Sequence, residues 1–167
     1  MTKPGDSVPL LFLKPGEMVC SAQPLVVTTL LGSCVSVTMF SHRLRFGAIC
    51  HALLPSCRQQ QSCSYDWAEA GKYVECAIRH MLEEMTARGI CRSEIEAKVF
   101  GGSEMFDTVD GTTLTIGNQN IEMAQRLLEG ESVRVVTQDL GGARGRKIVF
   151  HTHTGEVFLK RLRKTEI

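Results

Sequence analysis

The sequence predicts an α+β domain in which packed mixed or antiparallel β-sheets carry about two helices against them. Three observations lead there. Short β-rich segments outnumber helical ones, they do not alternate with helices as a doubly wound parallel sheet requires, and Gly-containing turns separate them. At 167 residues a single domain over 1–167 is expected, long enough to bury roughly two-thirds of the surface its unfolded chain exposes. Size alone therefore demands neither a disulfide nor a structural metal.

Taken in order, residues 1–8 are polar, contain Pro4 and Gly5, and are expected to fray. Residues 10–27 read as short extended pieces broken at Pro15-Gly16 and Pro24, and the apolar run 25–31 reads as a buried strand. Gly32-Ser33 turns the chain into a β-branched strand with Val35, Val37, Thr38 and Phe40. A second apolar run, 46–54, pairs back on it across Ser41-His42-Arg43-Leu44. The stretch SCRQQQSCS at 56–64 lacks periodicity and reads as an exposed loop. Trp67, Ala70, Val74, Ala77, Ile78, Met81 and Met85 recur at helical spacing, with Asp66 as N-cap, Glu69 completing a capping box and Gly89 as the stop. A shorter helix is predicted over 119–129, with Ile121, Ala124 and Leu128 on one face, Asn118 as cap and Gly130 beyond it. Strands are predicted at 95–100, 112–116, 132–137, 146–152 and 156–162, the last two joined by a Thr154-Gly155 hairpin.

Charge and composition narrow the function. Nineteen basic against 18 acidic residues give a net charge of +1, which supplies no basic field for nucleic acid. No apolar run approaches the ~18 residues of a membrane span, and the proline-interrupted start lacks the features of an export signal. Seven cysteines without a repeated spacing fit reduced thiols in the cytoplasm better than a disulfide framework. The Cys57-x5-Cys63 spacing beside Cys50 and His51 is not that of a structural zinc site, so no metal is expected.

The sharpest constellation lies in the hairpin. A loop centred between His42 and Arg43 sets Phe40 opposite Arg45 and Cys34 opposite His51, with Cβ atoms roughly 4.5–5.5 Å apart on one face. A slip by one residue would send one of them to the other face, whereas a four-residue loop over 41–44 keeps the pairing. A thiol of pKa about 8.5 is mostly neutral at pH 7, and a neighbouring histidine can stabilise the thiolate that attacks carbonyl carbon. The alternative is a small buried cysteine beside a satisfied core histidine. Thr28 or Thr29 can orient the imidazole, and the Gly32-Ser33 corner can leave backbone N–H groups free for an oxyanion. Neither Gly101-Gly102 nor the 141–146 segment is a P-loop or a dinucleotide fingerprint. Both read as tight turns with positive φ or as walls of a cleft.

TTLLGSCVSVTMF followed by GAICHALLP resembles the signature of the CheD family of chemoreceptor glutamine deamidases. The likeness continues through KYVECAI, EAKVFGGSEMF, IGNQNIEMAQRLL and DLGGARGRKIVFHTHTGEVFLKRL, from about residue 13 to residue 162. It implies a cytoplasmic enzyme, working without a cofactor, that converts selected glutamine side chains of chemoreceptors to glutamate and pairs with the phosphatase CheC. It implies Cys34 as nucleophile, His51 as base and Thr28, six positions before the cysteine, as the residue that orients His51, with the adjacent Thr29 as the alternative. The implied fold is similar to the deamidating domain of cytotoxic necrotizing toxins. The SCRQQQSCSYDW loop and Ser103 depart from the family pattern. Phe100, Met105 and Phe106, around the Gly-Gly corner, are expected to form part of the partner surface. The same machinery can hydrolyse a glutamate methyl ester. Two other classes stay open: a regulatory adaptor that docks on CheC and raises its phosphatase activity, and a redox-sensing thiol protein.

Overall fold

Residues 7–57, 67–104 and 115–163 are described in the computed structural model of the chain. Their strands are β1 (Leu10–Phe12), β2 (Met18–Ser21), β3 (Val26–Leu31), β4 (Val35–Ser41), β5 (Phe46–Cys50), β6 (Ile95–Gly101), β7 (Arg134–Leu140), β8 (Arg146–His151) and β9 (Val157–Arg161). Three α-helices, α1 (Trp67–Ala70), α2 (Val74–Ala87) and α3 (Ile116–Gly130), and a 3₁₀ turn at Arg92–Glu94 complete the described set. One sheet has the order β1-β3-β8-β9 and the other β2-β5-β4-β6-β7. Most pairs are antiparallel, while β1 with β3 and β6 with β7 run parallel. The α+β expectation of mixed sheets is met.

Strand alternation explains the layering. Val35, Val37 and Met39 of β4, with Ala48 and Cys50 of β5, lie in one core with Val74, Ala77, Ile78, Met81, Ala124 and Leu128 of the helices. The other face of the same sheet sends Ile49 and Phe100 into a second core with Leu13, Val27, Leu31, Ile148 and Phe150. The five-stranded sheet is thus the middle layer between helices and the smaller sheet. Each fully buried aliphatic or aromatic side chain of the inter-sheet core contributes about 1.5–3 kcal/mol by leaving water. That apolar seal encloses the few polar groups carried between the sheets.

Several elements differ from the sequence reading, each for a local reason. The long helix is interrupted after Ala70, because the Lys72 carbonyl turns outward to accept from the Leu53 and Leu54 N–H groups and Tyr73 bridges to Leu54, and α2 then starts behind Tyr73. The proposed cap Asp66 lies outside the described residues. At the far end Gly89 takes φ +75° and ends the helix as expected. The second helix begins three residues early. Thr115, not Asn118, is its cap, accepting from the Asn118 backbone N–H at 3.2 Å, so Ile116 is helical and the 112–116 strand is lost at its only described end. Gly130 closes that helix from inside it rather than following it. The β8–β9 hairpin forms, with Gly155 at φ +78° pressed against the Phe40 ring.

Candidate active site

The β4–β5 hairpin exists, but its register is not the one the loop suggested. Ser41 pairs with Phe46, Thr38 with Ile49 and Val35 with Ala52, so the loop comprises residues 42–45, with Arg45 at φ 49°. Continuing that register sets Ser36, not Cys34, opposite His51. The slip is two residues, and two residues preserve the face of a strand. Cys34 and His51 therefore still point the same way, into the space between the sheets, as diagonal neighbours rather than a facing pair. Diagonal partners stand ~7–8 Å apart at Cα, within reach of long side chains and not of a resting thiol. Among the described residues no hydrogen bond joins Cys34 to His51.

The third residue differs as well. On β3, Val27, Thr29 and Leu31 are buried toward the five-stranded sheet while Thr28 faces outward. Thr29 Oγ1 lies 2.7 Å from His51 Nδ1, and Thr28 Oγ1 instead donates to the Ile148 carbonyl at 3.2 Å. It is Thr29, therefore, that meets the imidazole across the two sheets. Thr29 Oγ1 also donates to the Leu13 carbonyl at 2.7 Å. A hydroxyl has one proton and a carbonyl can only accept, so toward His51 this hydroxyl acts as acceptor. Nδ1 accordingly carries the ring proton and Nε2 keeps its lone pair, which makes His51 a base at Nε2.

Electrostatics keep both members of the pair neutral. His51 is 2% exposed, and desolvation lowers its pKa from 6.5 to about 4. Cys34 is half-buried, and desolvation raises its thiol pKa, opposed by its own backbone N–H, which favours the thiolate. Where the sequence suggested a thiolate stabilised by a neighbouring histidine, burial favours a thiol beside a neutral imidazole. Other thiols are further from reactivity. Burial pushes Cys50, on the helix-facing side of β5, to about 12, and Cys20 likewise to about 12. Cys20, Cys34, Cys50 and Cys91 are free thiols, whereas Cys76 is disulfide-bonded, against the expectation of thiols throughout.

Cys34 opens onto a cleft of about 420 Å³ lined by Pro15, Ser33, Leu53, Leu54, Lys72 and Ile116 as well as the thiol itself. Leu54 and Ile116 are 42% and 41% exposed, an apolar rim that sequence reasoning missed because Ile116 read as the end of a strand. Of the predicted partner residues only Phe100 is described, and it does not join this rim. Phe100 is 2% exposed in the inter-sheet core, and Met105 and Phe106 lie outside the described residues.

The Gly-Gly corner has the positive φ expected of it and lies against the cysteine, but is not among the residues that line the cleft. Gly101 and Gly102 take φ +106° and +67°. A Cβ on Gly101 would strike the Cys34 carbonyl, which accepts from the Gly102 N–H at 2.8 Å. Only a chain without side chains at this corner can run so close to the cysteine. Gly32 and Ser33, the predicted oxyanion corner, form the bend just before β4. Among the described residues neither the Ser33 nor the Cys34 amide N–H donates to another residue, and that of Cys34 lies toward its own thiol.

Comparison with known proteins converges on one family. The family model described as CheD chemotactic sensory transduction matches residues 53–161, a span that begins after His51 and so stands independently of the hairpin. A probable chemoreceptor glutamine deamidase CheD 2 of Geobacter sulfurreducens is 44% identical over 99% of this chain and 98% of its own. Probable chemoreceptor glutamine deamidases CheD of Maridesulfovibrio salexigens and Thermococcus kodakarensis are 38% and 33% identical. The first match covers 92% of each chain, the second 88% of this chain and 89% of the relative. With the matched model spanning well over half of its length and such relatives aligned nearly end to end, the chain belongs to the CheD family.

Proposed function

We propose that the chain deamidates glutamine side chains of chemoreceptors, with Cys34 as nucleophile, His51 as general base and acid, and Thr29 holding the imidazole. The observation that carries this reading is the tautomer. A histidine whose Nδ1–H is fixed by a doubly engaged threonine offers its Nε2 lone pair on the face that Cys34 shares. Relatives named as glutamine deamidases supply the substrate class.

In this mechanism Nε2 takes the thiol proton as Sγ attacks the carboxamide carbon. The tetrahedral oxyanion is held by the Cys34 and Ser33 amides, the protonated imidazole returns its proton to the departing ammonia, and a thioester remains. Water, deprotonated by the same Nε2, attacks the thioester, and glutamate leaves as the thiol is reprotonated. No cofactor enters this scheme. Because the two side chains are diagonal, Cys34 must turn toward Nε2 when the substrate binds, in keeping with catalytic hydrogen bonds that tighten in the substrate complex. Leu54 and Ile116 take over the receptor-docking role first given to Phe100, beside Met105 and Phe106. They offer an amphipathic helix apolar ground around the cleft.

One observation favours a second reading. A raised thiol pKa without a hydrogen bond to the histidine is also what an adaptor would have, one that docks on a CheC-type phosphatase through the same rim. The test is peptide mass spectrometry of a chemoreceptor cytoplasmic fragment incubated with wild-type chain and with Cys34→Ala. Conversion of defined glutamines to glutamate by the wild type alone supports the enzyme. Unmodified receptor with intact CheC binding replaces it by the adaptor.

A further inference from the structure

The segment that carries the nucleophile is held by three successive carbonyls. The Gly32 carbonyl accepts from the Ser103 N–H at 3.0 Å, that of Ser33 from Asn120 Nδ2 at 3.0 Å, and that of Cys34 from the Gly102 N–H at 2.8 Å. Of these donors only Asn120 uses a side chain. It is fully buried on α3, and the same Nδ2 donates at 3.0 Å to the carbonyl of Leu53, two residues past His51. Both protons of one amide nitrogen thus join the segment of the candidate nucleophile to that of the candidate base.

The orientation of this amide follows from its partners. Two carbonyl oxygens can be faced only by the NH₂ group, which leaves Oδ1 buried without a partner. An unmade buried acceptor costs about 1–3 kcal/mol, a cost that a purely apolar filler at this position would not carry. What the amide gains is control of a peptide plane. In a planar trans peptide the C=O and the following N–H point in opposite directions. Fixing the Ser33 carbonyl toward α3 therefore aims the Cys34 N–H away from α3.

We propose that Asn120 is a positioning residue for the oxyanion site, holding the Cys34 N–H in place through the Ser33 carbonyl. It acts chiefly on the stabilisation of a tetrahedral intermediate, whose full negative charge calls on that N–H more strongly than the resting, mostly neutral thiol does. The proposal rests on the reading of Cys34 as an acyl-transfer nucleophile, but not on glutamine as the substrate.

Two reactions of Cys34 separate this role from a structural one. With p-nitrophenyl acetate, the acetyl group passes to Sγ through a tetrahedral oxyanion, nitrophenolate leaves and the thiol proton goes to His51. With iodoacetamide, Sγ displaces iodide in a single step that builds no oxyanion. In the full-length chain, Asn120→Asp keeps the shape and loses both donors at neutral pH, while Asn120→Ser shortens the side chain without burying a charge. If the aspartate variant fails to fold, the serine variant decides. Displacing an oxyanion donor is expected to slow the Cys34-dependent nitrophenolate burst roughly 10–100-fold. Alkylation of Cys34 should fall by no more than about threefold, since a direct displacement builds no oxyanion and meets the same N–H only through its smaller effect on the thiol. An unchanged burst, a parallel fall in both reactions, or a wild-type chain that does not acylate at Cys34 would overturn the proposal. A wild-type chain with an Asn120-dependent burst and no action on receptor glutamine would sink the deamidase reading alone.

Discussion

Replacing Thr29 by valine removes one hydroxyl while keeping its shape, and the structure fixes what is lost. The Leu13 carbonyl loses the donor at 2.7 Å and His51 Nδ1–H loses its acceptor at 2.7 Å, both in the sealed space between the sheets. Two buried groups left unsatisfied cost about 1–3 kcal/mol each, so a loss of about 2–6 kcal/mol is expected. The middle of that range, about 4 kcal/mol, is less than the ~5–15 kcal/mol typical of a folded domain, and the variant should remain folded at 25 °C. Turnover suffers separately, because an unanchored neutral imidazole divides between its tautomers and only the one with a bare Nε2 can take the thiol proton. General-base catalysis contributes about 10²–10⁴-fold, and the surviving productive fraction limits the expected fall in kcat to roughly 10–100-fold. Thr29→Ser keeps the hydroxyl and should stay within about threefold of wild type, as a retained hydrogen bond requires. Thr28→Val, which among the described residues loses one hydrogen bond, to the Ile148 carbonyl, should cost about 1 kcal/mol or less and leave turnover within about twofold. Ammonia release from a receptor fragment gives kcat, and urea midpoints give stability. A Thr28→Val variant that is inactive beside an active Thr29→Val would refute the assignment and restore the residue that the family pattern had pointed to.

Acid should destabilise the fold through His51. The unfolded chain's histidine binds a proton below pH 6.5 while the buried imidazole resists until about pH 4, so the unfolded state holds more protons in that window and stability falls with pH. A shift of this size corresponds to about 3 kcal/mol, absent in His51→Gln, and denaturant midpoints at pH 7 and pH 4.5 measure it. Equal acid losses in the two proteins would argue against a neutral buried His51. At the rim, Leu54→Glu or Ile116→Glu should raise KM for a receptor fragment about tenfold, the loss of one apolar contact, with kcat at saturation and labelling of Cys34 by iodoacetamide unchanged. Steady-state kinetics on folded variants decide, and an unaltered KM would remove these side chains from the docking surface.

How far the site was legible depended on which physical quantity each inference used. Face parity along the hairpin survived a wrong register because the error was two residues, so the Cys34 and His51 face was readable from alternation alone. Separation along the strand was not, since the loop of residues 42–45 bears no turn residue that fixes its length, and Arg45 adopts positive φ without being glycine. The choice between Thr28 and Thr29 needed the smaller sheet. Adjacent strand residues point to opposite faces, and which face meets His51 is set by β1 and β8 packing on either side of β3. The helix starts were misread at Lys72-Tyr73, whose backbone pairs with Leu53-Leu54, and at Thr115 ahead of Asn118. Phe100 looked available because it borders a glycine corner, yet alternation along β6 buries it between the sheets. Asn120 gave only its place in the IGNQN stretch, since nothing in a helical pattern says that a polar residue on the buried face reaches two distant carbonyls.

The central claim is that Cys34 becomes covalently acylated by a glutamine side chain, and trapping the thioester tests it most directly. Wild-type chain mixed with a receptor fragment and quenched in acid within the first turnover should yield a Cys34-containing peptide joined to a receptor peptide. The joined mass should be the sum of the two less ammonia, and hydroxylamine should release the adduct. Glutamate formation that proceeds in Cys34→Ala, or that proceeds in the wild type with the adduct on another residue, would contradict the account.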